Sequence, residues 1–317
     1  MRFLDASQVH ALLDFAGLVE ALEQGHRAPP PDSERLLMSH RGPGDEADHF
    51  VLLPAWQGGE ALGIKVATVF PGNLSKADAL PSVQAVYLLF DGRDGRPTAC
   101  IDGTALTYRK TAADSALGAR LLARADPETM LMVGAGGLAP YLIEAHRAVR
   151  PSLERVLVWN RNAARARALA GQLTPLGLAA EVADDLEAAV RGADLISCAT
   201  ASTEPLVKGA WLKPGAHLDL VGGFTPTMRE ADDEAARLAR VFVDNRLSTV
   251  AETGDIAGPI AAGAIDESDV LADLFQLCQS AQAGRKTGEE ITLFKNGGGA
   301  HLDLMTARFL LSRAEAT

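Results

Sequence analysis

The second half of the chain alternates short apolar runs with segments in which apolar residues recur at helical spacing. Residues Met130 to Val133 form an apolar run of the length of a buried parallel strand, and residues 138–149 then follow a helical period. The same alternation predicts strands at residues 156–159, 179–182, 195–199, 217–222, 241–243 and 290–294, with helices at 163–173, 186–190 and 267–279. Strands that alternate with helices in this way are typical of a doubly wound parallel sheet, the Rossmann type of α/β fold.

Residues 1–125 have a different pattern, in which strands follow one another without long helices between them. Apolar or β-rich runs predict strands at residues 3–4, 35–39, 49–53, 61–69 and 83–90, with an exposed loop at 41–48 and a hairpin turn at 91–95. Helices are predicted from Ser7, as the N-cap, to the prolines at 29–31, and also at 111–124 and 301–314. Closely spaced strands favour an antiparallel or mixed sheet here.

A glycine-rich turn, Gly134-Ala135-Gly136-Gly137-Leu138-Ala139, joins the first strand of the second half to its helix. Gly134 would allow a tight turn, Gly136 and its neighbour Gly137 would let a pyrophosphate approach the backbone, and Ala139 would let the helix pack closely on the strand. The start of the helix adds unpaired N–H groups and the positive end of its dipole. A bare structural turn is the alternative, but a strand before and a helix after are the context of a dinucleotide site.

The residues after the next predicted strand bear on which dinucleotide binds. An acid at this point accepts a hydrogen bond from the ribose 2′-hydroxyl of NAD, whereas an arginine accommodates the 2′-phosphate of NADP. This chain has Asn160 and Arg161, with Arg165 one helical turn further on. The pattern favours NADPH, with NADH as the alternative, and both Asn160 and Arg161 are predicted to contact the cofactor. A solvated residue at the start of a helix is the other interpretation of Arg161.

The amino-acid composition and net charge limit the kinds of partner that we expect this protein to bind. The chain has 317 residues, of which 47% are hydrophobic, and a formal net charge of −11, which argues against nucleic-acid or anionic-membrane binding. No apolar run approaches the roughly 18 residues of a membrane span. Cys100, Cys198 and Cys278 are odd in number and far apart, so we expect three buried thiols and a reducing, cytoplasmic location. No cluster of His, Cys and carboxylate residues has the spacing of metal ligands, and no metal is predicted.

Several stretches together resemble the ornithine cyclodeaminase/μ-crystallin family, and they follow one another along nearly the whole chain. They are Gly63-Ile64-Lys65-Val66, Phe70-Pro71-Gly72-Asn73, Leu106-Thr107-Tyr108-Arg109-Lys110-Thr111, Val133-Gly134-Ala135-Gly136, Val158-Trp159-Asn160-Arg161, Gly215-Ala216-His217, Glu252-Thr253-Gly254-Asp255 and Glu290-Ile291-Thr292-Leu293-Phe294-Lys295. The resemblance implies a homodimer and a Rossmann doubly wound parallel sheet, residues 126–294, inserted in an α+β catalytic and dimerisation domain formed by residues 1–125 and 295–317.

The family includes cyclodeaminases, ketimine reductases and amino-acid dehydrogenases. Where cyclodeaminases carry an aspartate this chain has Phe224, and where they carry a lysine four residues later it has Met228. A phenyl ring can neither accept nor donate the proton of ring closure, which disfavours cyclodeamination. The run from Gly222 onward is similar instead to the Δ1-pyrroline-2-carboxylate reductase branch. Phe224 and Thr225 are therefore predicted to contact the substrate, although a packing role is the alternative for Phe224.

Further site residues follow from matching the family's motifs. Lys65 comes after apolar residues and is the predicted catalytic residue, which would bind the substrate carboxylate and supply a proton; a strand lysine with an exposed head is the alternative. The resemblance assigns the carboxylate-binding arginine to Arg35, with Arg41 as the competing choice, and Asp303 to a pocket acid or a helix ion-pair partner. The predicted cofactor contacts are Ser82, Thr200, Gly222, Lys110 and Asn296.

Two of these positions depart from the family pattern. Lys110 stands where most relatives have an arginine, which keeps the charge but loses the bidentate fork, and Asn296 stands where they have a serine. His217 lies in a predicted buried strand and is expected to be a core histidine.

These residues together predict an NAD(P)H-dependent reductase that converts Δ1-pyrroline-2-carboxylate or Δ1-piperideine-2-carboxylate to L-proline or L-pipecolate. The cofactor would supply the hydride, so the protein would mainly position and polarise the imine. The enzymatic alternatives are an ornithine cyclodeaminase and an alanine-type dehydrogenase acting on an acyclic imine. A non-catalytic, NADPH-bound ligand-binding protein of the μ-crystallin type is the alternative from another class.

Overall fold

The computed structural model describes residues 1–41, 47–75, 80–174 and 179–316, and the chain divides into two compact units. Unit 1 contains Met1–Gly25, Pro29–Lys110 and Gly299–Thr317, and unit 2 contains His26–Ala28 and Thr111–Gly298. After residue 29, the chain passes from unit 1 to unit 2 after Lys110 and returns to unit 1 after Gly298.

Within the described ranges, unit 1 is built on a seven-stranded mixed sheet. Its strands are β1 (Arg2–Leu4), β2 (Asp32–Ser33), β3 (Leu36–Arg41), β4 (Ala47–Gln57), β5 (Ala61–Val69), β6 (Val83–Asp91) and β7 (Pro97–Asp102). The order is β1-β7-β6-β5-β4-β2, and β3 also pairs with β4. Only β1 and β7 run parallel among these pairs; the other pairs are antiparallel, which confirms the predicted mixed sheet.

The strand prediction was accurate for β5 and incomplete elsewhere. Strand β7 was not predicted, and β3 and β4 reach Arg41 and Ala47, so both ends of the predicted loop 41–48 lie in strands. Its central residues 42–46 lie outside the described residues. The predicted hairpin turn at 91–95 is confirmed by the hydrogen bond from the Gly95 N–H to the Asp91 carbonyl at 2.9 Å.

The N-terminal helix prediction was wrong in two respects. Two helices, α1 (Ala6–Leu12) and α2 (Phe15–Arg27), replace the single predicted one. The N-cap is Asp5, not Ser7, because the Asp5 carboxylate accepts the Gln8 N–H at 2.9 Å in a capping box, while the Ser7 hydroxyl donates to the same carboxylate. The helix predicted at 111–124 is α3 (Gly103–Leu122), which starts earlier because the Asp102 carboxylate accepts the Ala105 N–H at 2.7 Å.

Unit 2 contains an eight-stranded, fully parallel sheet in the order β10-β9-β8-β11-β12-β15-β13-β14. The strands are β8 (Thr129–Val133), β9 (Arg155–Trp159), β10 (Ala180–Val182), β11 (Leu195–Cys198), β12 (His217–Leu220), β13 (Arg240–Val243), β14 (Val270–Asp273) and β15 (Thr292–Lys295). The last strand in sequence, β15, lies between β12 and β13. This is the predicted doubly wound α/β fold, and its central strands are almost fully buried because a parallel sheet is covered on both faces.

Helices alternate with these strands. They are α4 (Ala139–Val149), α5 (Ala163–Leu173), α6 (Leu186–Gly192), α7 (Asp233–Leu238), α8 (Arg246–Thr249), α9 (Gly254–Ala261) and α10 (Leu274–Cys278). The final helix, α11 (Ala300–Glu315), returns to unit 1 and packs on β4, β5 and β6. In the part of the chain that the structure describes, no helix has the length and apolar character needed to cross a membrane.

The helix predicted at 267–279 was wrong. This segment contains a short 3-10 helix at Glu267–Asp269, strand β14 and helix α10. Residues 270–273 pair with β13 as a parallel edge strand, and the Asp273 carboxylate then caps α10 by accepting the Gln276 N–H at 3.0 Å. A short apolar run is compatible with either a helix or a strand, so tertiary pairing decides. Cys198 and Cys278 are buried as predicted, whereas Cys100 is only partly buried because it lies on an outer strand pair.

Candidate active site

The glycine turn after β8 has the conformation and the space of a dinucleotide site. Gly134 adopts a φ of +112°, its N–H donates to the Trp159 carbonyl at 2.9 Å, and a Cβ there would lie 2.5 Å from the Ala199 carbonyl oxygen. Glycine is the residue that satisfies both conditions. A Cβ on Gly136 would meet nothing within 4 Å, so the turn is open at this point, and the buried Ala139 begins α4.

A cleft of about 280 Å³ opens beside this turn. Its lining residues come from the turn and from α5: Ala135, Gly136, Gly137, Pro140, Arg165, Ala168, Leu169 and Gln172. Arg161 is exposed just before α5, and the side-chain amide of Asn160 donates to the Asn162 carbonyl at 3.0 Å. The open turn, the helix N-terminus and the two arginines fit the pyrophosphate and adenosine parts of a dinucleotide.

Two predicted cofactor residues, Thr200 and Gly222, lie in the loops that follow β11 and β12, and Glu230 joins them. The Thr200 N–H and hydroxyl donate to Glu230 Oε1 at 2.6 and 2.9 Å, and the Gly222 N–H donates to Glu230 Oε2 at 2.7 Å. These loops are at the carboxyl ends of neighbouring parallel strands, where open α/β sheets bind their ligands.

Glu230 belongs to a buried group of charges with Asp255 and Lys295. The Lys295 ammonium lies 3.1 Å from Asp255 Oδ2, and the Glu230 N–H donates to Asp255 Oδ1 at 2.7 Å. All three side chains are buried. Burial raises the pKa of Glu230 to about 7; the charge of Lys295 opposes this shift and that of Asp255 adds to it.

A second buried polar group surrounds Asp219 on β12. Its carboxylate accepts the Ser115 hydroxyl at 2.8 Å and the Ser197 hydroxyl at 2.7 Å, and it lies 3.1 Å from His146 Nε2. The side-chain amide of Asn296, a predicted cofactor contact, donates to the Ser115 hydroxyl at 3.0 Å and to the Thr111 carbonyl at 3.0 Å. The N–H groups of Asn296 are therefore engaged within unit 2.

His217 is a core histidine, as predicted. Its Nδ1 lies 2.8 Å from the Thr292 hydroxyl, and both residues are fully buried. Burial lowers the pKa of His217 to about 3, so the ring is neutral at physiological pH.

In unit 1, the structure brings Lys65, Lys110 and Asp303 together. The Lys65 ammonium on β5 lies 2.8 Å from Asp303 Oδ2 on α11, and the Lys110 ammonium on α3 lies 3.6 Å from Asp303 Oδ1. The three residues are buried, so the interpretation of Lys65 as a strand lysine with an exposed head is wrong. Burial lowers the pKa of Lys65; the charge of Asp303 opposes this shift and that of Lys110 adds to it.

Tyr87 lies opposite Lys65 in the pairing of β5 with β6 and is fully buried. Its hydroxyl lies over Gly63, where a Cβ would collide with it. Burial raises the pKa of Tyr87 well above its ordinary value, and the charge of Asp303 adds to that shift. The tyrosine therefore stays neutral beside the ion pair.

The other predicted residues of unit 1 lie at less buried positions. Arg35 is exposed between β2 and β3, and Arg41 is exposed at the end of β3, opposite Ala47. Ser82 is partly buried just before β6, and its carbonyl accepts the Phe70 N–H at 2.7 Å. Neither arginine belongs to the buried set around Asp303.

Phe224 is 60% exposed in the loop after β12. The following residue, Thr225, anchors this loop, because its carbonyl accepts the Gly254 N–H at 2.9 Å and the Met228 N–H at 3.2 Å. An exposed aromatic ring on an anchored loop is available for contact with a ligand.

The residues for which the sequence predicted no role are Glu230 and the two charged residues beside it, Asp255 and Lys295. Asp255 belongs to the Glu-Thr-Gly-Asp motif, and Lys295 directly follows the strand predicted at 290–294. Both residues therefore lie in stretches that resemble the family, but no role was predicted for either. The available signal for Glu230 was its place in the run that begins at Gly222 and is similar to the reductase branch, but only the fold brings it to Thr200.

Comparison with known proteins identifies the family. The sequence pattern of the ornithine cyclodeaminase/mu-crystallin family matches residues 5–317. The chain belongs to this family. It is 42% identical, over 309 residues, to a Delta(1)-pyrroline-2-carboxylate reductase of Paracoccus denitrificans, an alignment that covers 98% of this chain and 96% of that protein.

Solved structures of other proteins are similar to this one over the whole length of the chain. The Delta(1)-pyrroline-2-carboxylate reductase of Thermococcus litoralis, solved in complex with NADH and L-proline, is similar with a TM-score of 0.91 and 30% identity, covering 100% of this chain and 98% of that one. An archaeal alanine dehydrogenase dimer with bound NAD is similar with a TM-score of 0.89 and 26% identity, covering 100% and 96%.

Proposed function

We propose that this family member reduces the C=N bond of cyclic 2-imino acids with a reduced nicotinamide dinucleotide. The substrates are Δ1-pyrroline-2-carboxylate and Δ1-piperideine-2-carboxylate, and the products are L-proline and L-pipecolate. The observation that carries the proposal is the buried set of Lys65, Lys110 and Asp303, which offers a net positive charge to a small carboxylate. The names of the similar reductases support the same substrate class.

The chemistry of the site follows from these charges. Two ammonium groups share one carboxylate, so the substrate carboxylate would balance the remaining positive charge and be oriented by it. The lowered pKa of Lys65 makes its ammonium a better acid, suited to donate a proton to the imine nitrogen as the carbon is reduced. Lys110 then remains to balance Asp303. When bound, the reduced nicotinamide supplies the hydride.

The proposed cofactor is NADPH, with NADH as the alternative. Gly134, Gly136, Gly137 and Ala139 would hold the pyrophosphate, and Arg161 with Arg165 would face the adenosine ribose. The absence of an acid at residues 160–161 supports NADPH. The similar structures hold NADH and NAD, so the preference is to be measured with both reduced cofactors.

The decisive experiment follows the absorbance of the reduced cofactor with each candidate substrate. We expect oxidation of NADPH with Δ1-pyrroline-2-carboxylate and with Δ1-piperideine-2-carboxylate, and the amino-acid products by chromatography. Ammonia release from ornithine with NAD, without imine reduction, would contradict the proposal and indicate a cyclodeaminase. Cofactor binding with no turnover of any substrate would indicate a ligand-binding protein.

A second candidate is reductive amination of an open-chain 2-oxo acid. The similarity to an alanine dehydrogenase over the whole chain supports this candidate. The same assay with pyruvate and ammonia tests it, and turnover there that exceeds turnover of both cyclic imines would favour it over the main proposal.

We also propose a homodimer in which unit 1 binds the substrate and forms the interface while unit 2 binds the cofactor. The apolar residues of β3 and β4 are exposed for a folded domain: Leu36, Leu37, Met38, Phe50 and Trp56. Such a surface favours coverage by a second copy, and the similar alanine dehydrogenase is a dimer. Light scattering would measure the assembly.

The three free cysteines are in keeping with a cytoplasmic location.

A further inference from the structure

Glu230 connects two loops whose residues were predicted to bind the cofactor, although Glu230 itself was not. We propose that Glu230 is a positioning residue: its ionised carboxylate holds the loops after β11 and β12 in the arrangement that binds the nicotinamide half of the dinucleotide. This inference rests on the proposed function, because it assumes that unit 2 binds a nicotinamide cofactor.

Both oxygens of the carboxylate are used. Oε1 accepts the N–H and the hydroxyl of Thr200, at 2.6 and 2.9 Å, and Oε2 accepts the N–H of Gly222 at 2.7 Å. The two loops also touch directly, since a Cβ on Gly222 would collide with the backbone of Thr200. One side chain therefore sets the spacing between the two loop backbones.

The backbone of Glu230 is held from both sides, so the side chain cannot follow a moving loop. Its N–H donates to Asp255 Oδ1 at 2.7 Å, and its carbonyl accepts the Leu206 and Val207 N–H groups at 2.9 Å each. A charged side chain on a fixed backbone can position loops that have no regular secondary structure.

The buried environment of Glu230 favours proton exchange in the physiological range. Among the described residues, the titratable groups that act on it are Lys295 from β15 and Asp255 from α9, with the Cys198 thiol close by at the end of β11. Burial raises the pKa of Glu230 to about 7. A proton on either oxygen would place an O–H against an N–H donor of Thr200 or Gly222, so one loop would be released.

The first test is the affinity of the wild-type protein for NADH, measured by fluorescence titration. NADH is the probe because it lacks the 2′-phosphate, a group that itself titrates near pH 6. If only the ionised form positions the loops, the dissociation constant at about pH 6 should be about tenfold higher than at about pH 8, in proportion to the ionised fraction. An affinity that does not change over this range would overturn the proposal.

The second test is Glu230→Gln, which keeps the shape but replaces one acceptor by a donor. At about pH 8 we expect the variant to bind NADH about tenfold more weakly than the wild type, about as weakly as the wild type binds at about pH 6, and its affinity should not depend on pH. The matched control is Asp194→Asn, whose carboxylate accepts the Glu128 and Thr129 N–H groups at the opposite end of the sheet. The control should keep the wild-type pH dependence.

The outcomes separate this inference from the proposed function. Glu230→Gln that binds NADH at about pH 8 as tightly as the wild type does at that pH would overturn the positioning role, and if that variant does not fold, the wild-type titration decides. A wild type that binds NADH with the expected pH dependence but reduces no imino acid would contradict the proposed function and leave the positioning role supported. A wild type that binds no dinucleotide would overturn both.

Discussion

The carboxylate of Asp303 on α11 lies 2.8 Å from the ammonium of Lys65 on β5, and both groups are buried. The ammonium of Lys110 approaches the other oxygen at 3.6 Å. A buried carboxylate normally needs one cation, and a second one beside it is unfavourable unless another anion is also bound. This excess charge is the feature that the substrate carboxylate would complete.

Removing the charge of Lys65 should abolish most of the turnover. Lys65→Met keeps the length of the side chain but removes its charge and its proton, so we expect kcat/KM for the imine to fall by at least about a hundredfold. Steady-state kinetics measure this change. Lys208→Met, at an exposed lysine, is the control and should behave like the wild type. An active Lys65→Met protein would contradict the assigned role.

Asp303→Asn should move the pH dependence of the reaction. The charge of Asp303 raises the pKa of Lys65 and so favours its protonated form. Without that charge the pKa of Lys65 falls further. If protonated Lys65 is the acid, the decline of kcat/KM on the alkaline side should shift to lower pH, which a pH–rate profile measures. A shift to higher pH, or none, would argue for another proton donor.

Arg161→Ala should distinguish the two cofactors. A guanidinium that contacts the 2′-phosphate contributes a charge-assisted hydrogen bond, so its loss should weaken NADPH binding by about tenfold or more and change NADH binding by less than about twofold. Arg167→Ala, at an exposed arginine within α5, is the matched control. Equal effects of Arg161→Ala on both cofactors would count against a 2′-phosphate contact.

Substitution of two glycines in the same turn should affect different properties, stability in one case and dinucleotide affinity in the other. In Gly134→Ala the φ of +112° and the contact with the Ala199 carbonyl both become unfavourable, so we expect a loss of stability of about 2 kcal/mol or more, measured by denaturant unfolding. Gly136→Ala meets no protein atom within 4 Å, so its stability should be unchanged while dinucleotide affinity falls. A Gly136→Ala protein with wild-type affinity would show that the phosphates bind elsewhere.

Local patterns were sufficient for much of the fold. Strand β5 and helix α5 have the predicted bounds, because an apolar, β-rich run and a helical period extend over the whole of each element. The segment at 270–273 was misassigned because its apolar run of three residues, Val270 to Ala272, is too short to show a period, and only its pairing with β13 makes it a strand.

The candidate site, like the fold, could be predicted only in part from the sequence. Lys65, Lys110 and Asp303 could each be named from a motif, but the sequence assigned Lys110 to the cofactor and did not pair it with Asp303. Glu230 was missed because its significance depends on Thr200 and Gly222 meeting it at the end of the sheet. Such contacts between separate loops leave no periodic signal in a single sequence.

The position of β15 has a consequence for the order in which the protein can fold during synthesis. This strand pairs with β12 on one side and with β13 on the other, although it is the last of the eight to be made. Until residues 292–295 leave the ribosome, β12 and β13 each keep an unpaired edge, and β13 with β14 cannot join the sheet. A nascent chain that ends before Thr292 is therefore a half-built sheet, exposed to chaperones and to aggregation, which one four-residue strand completes.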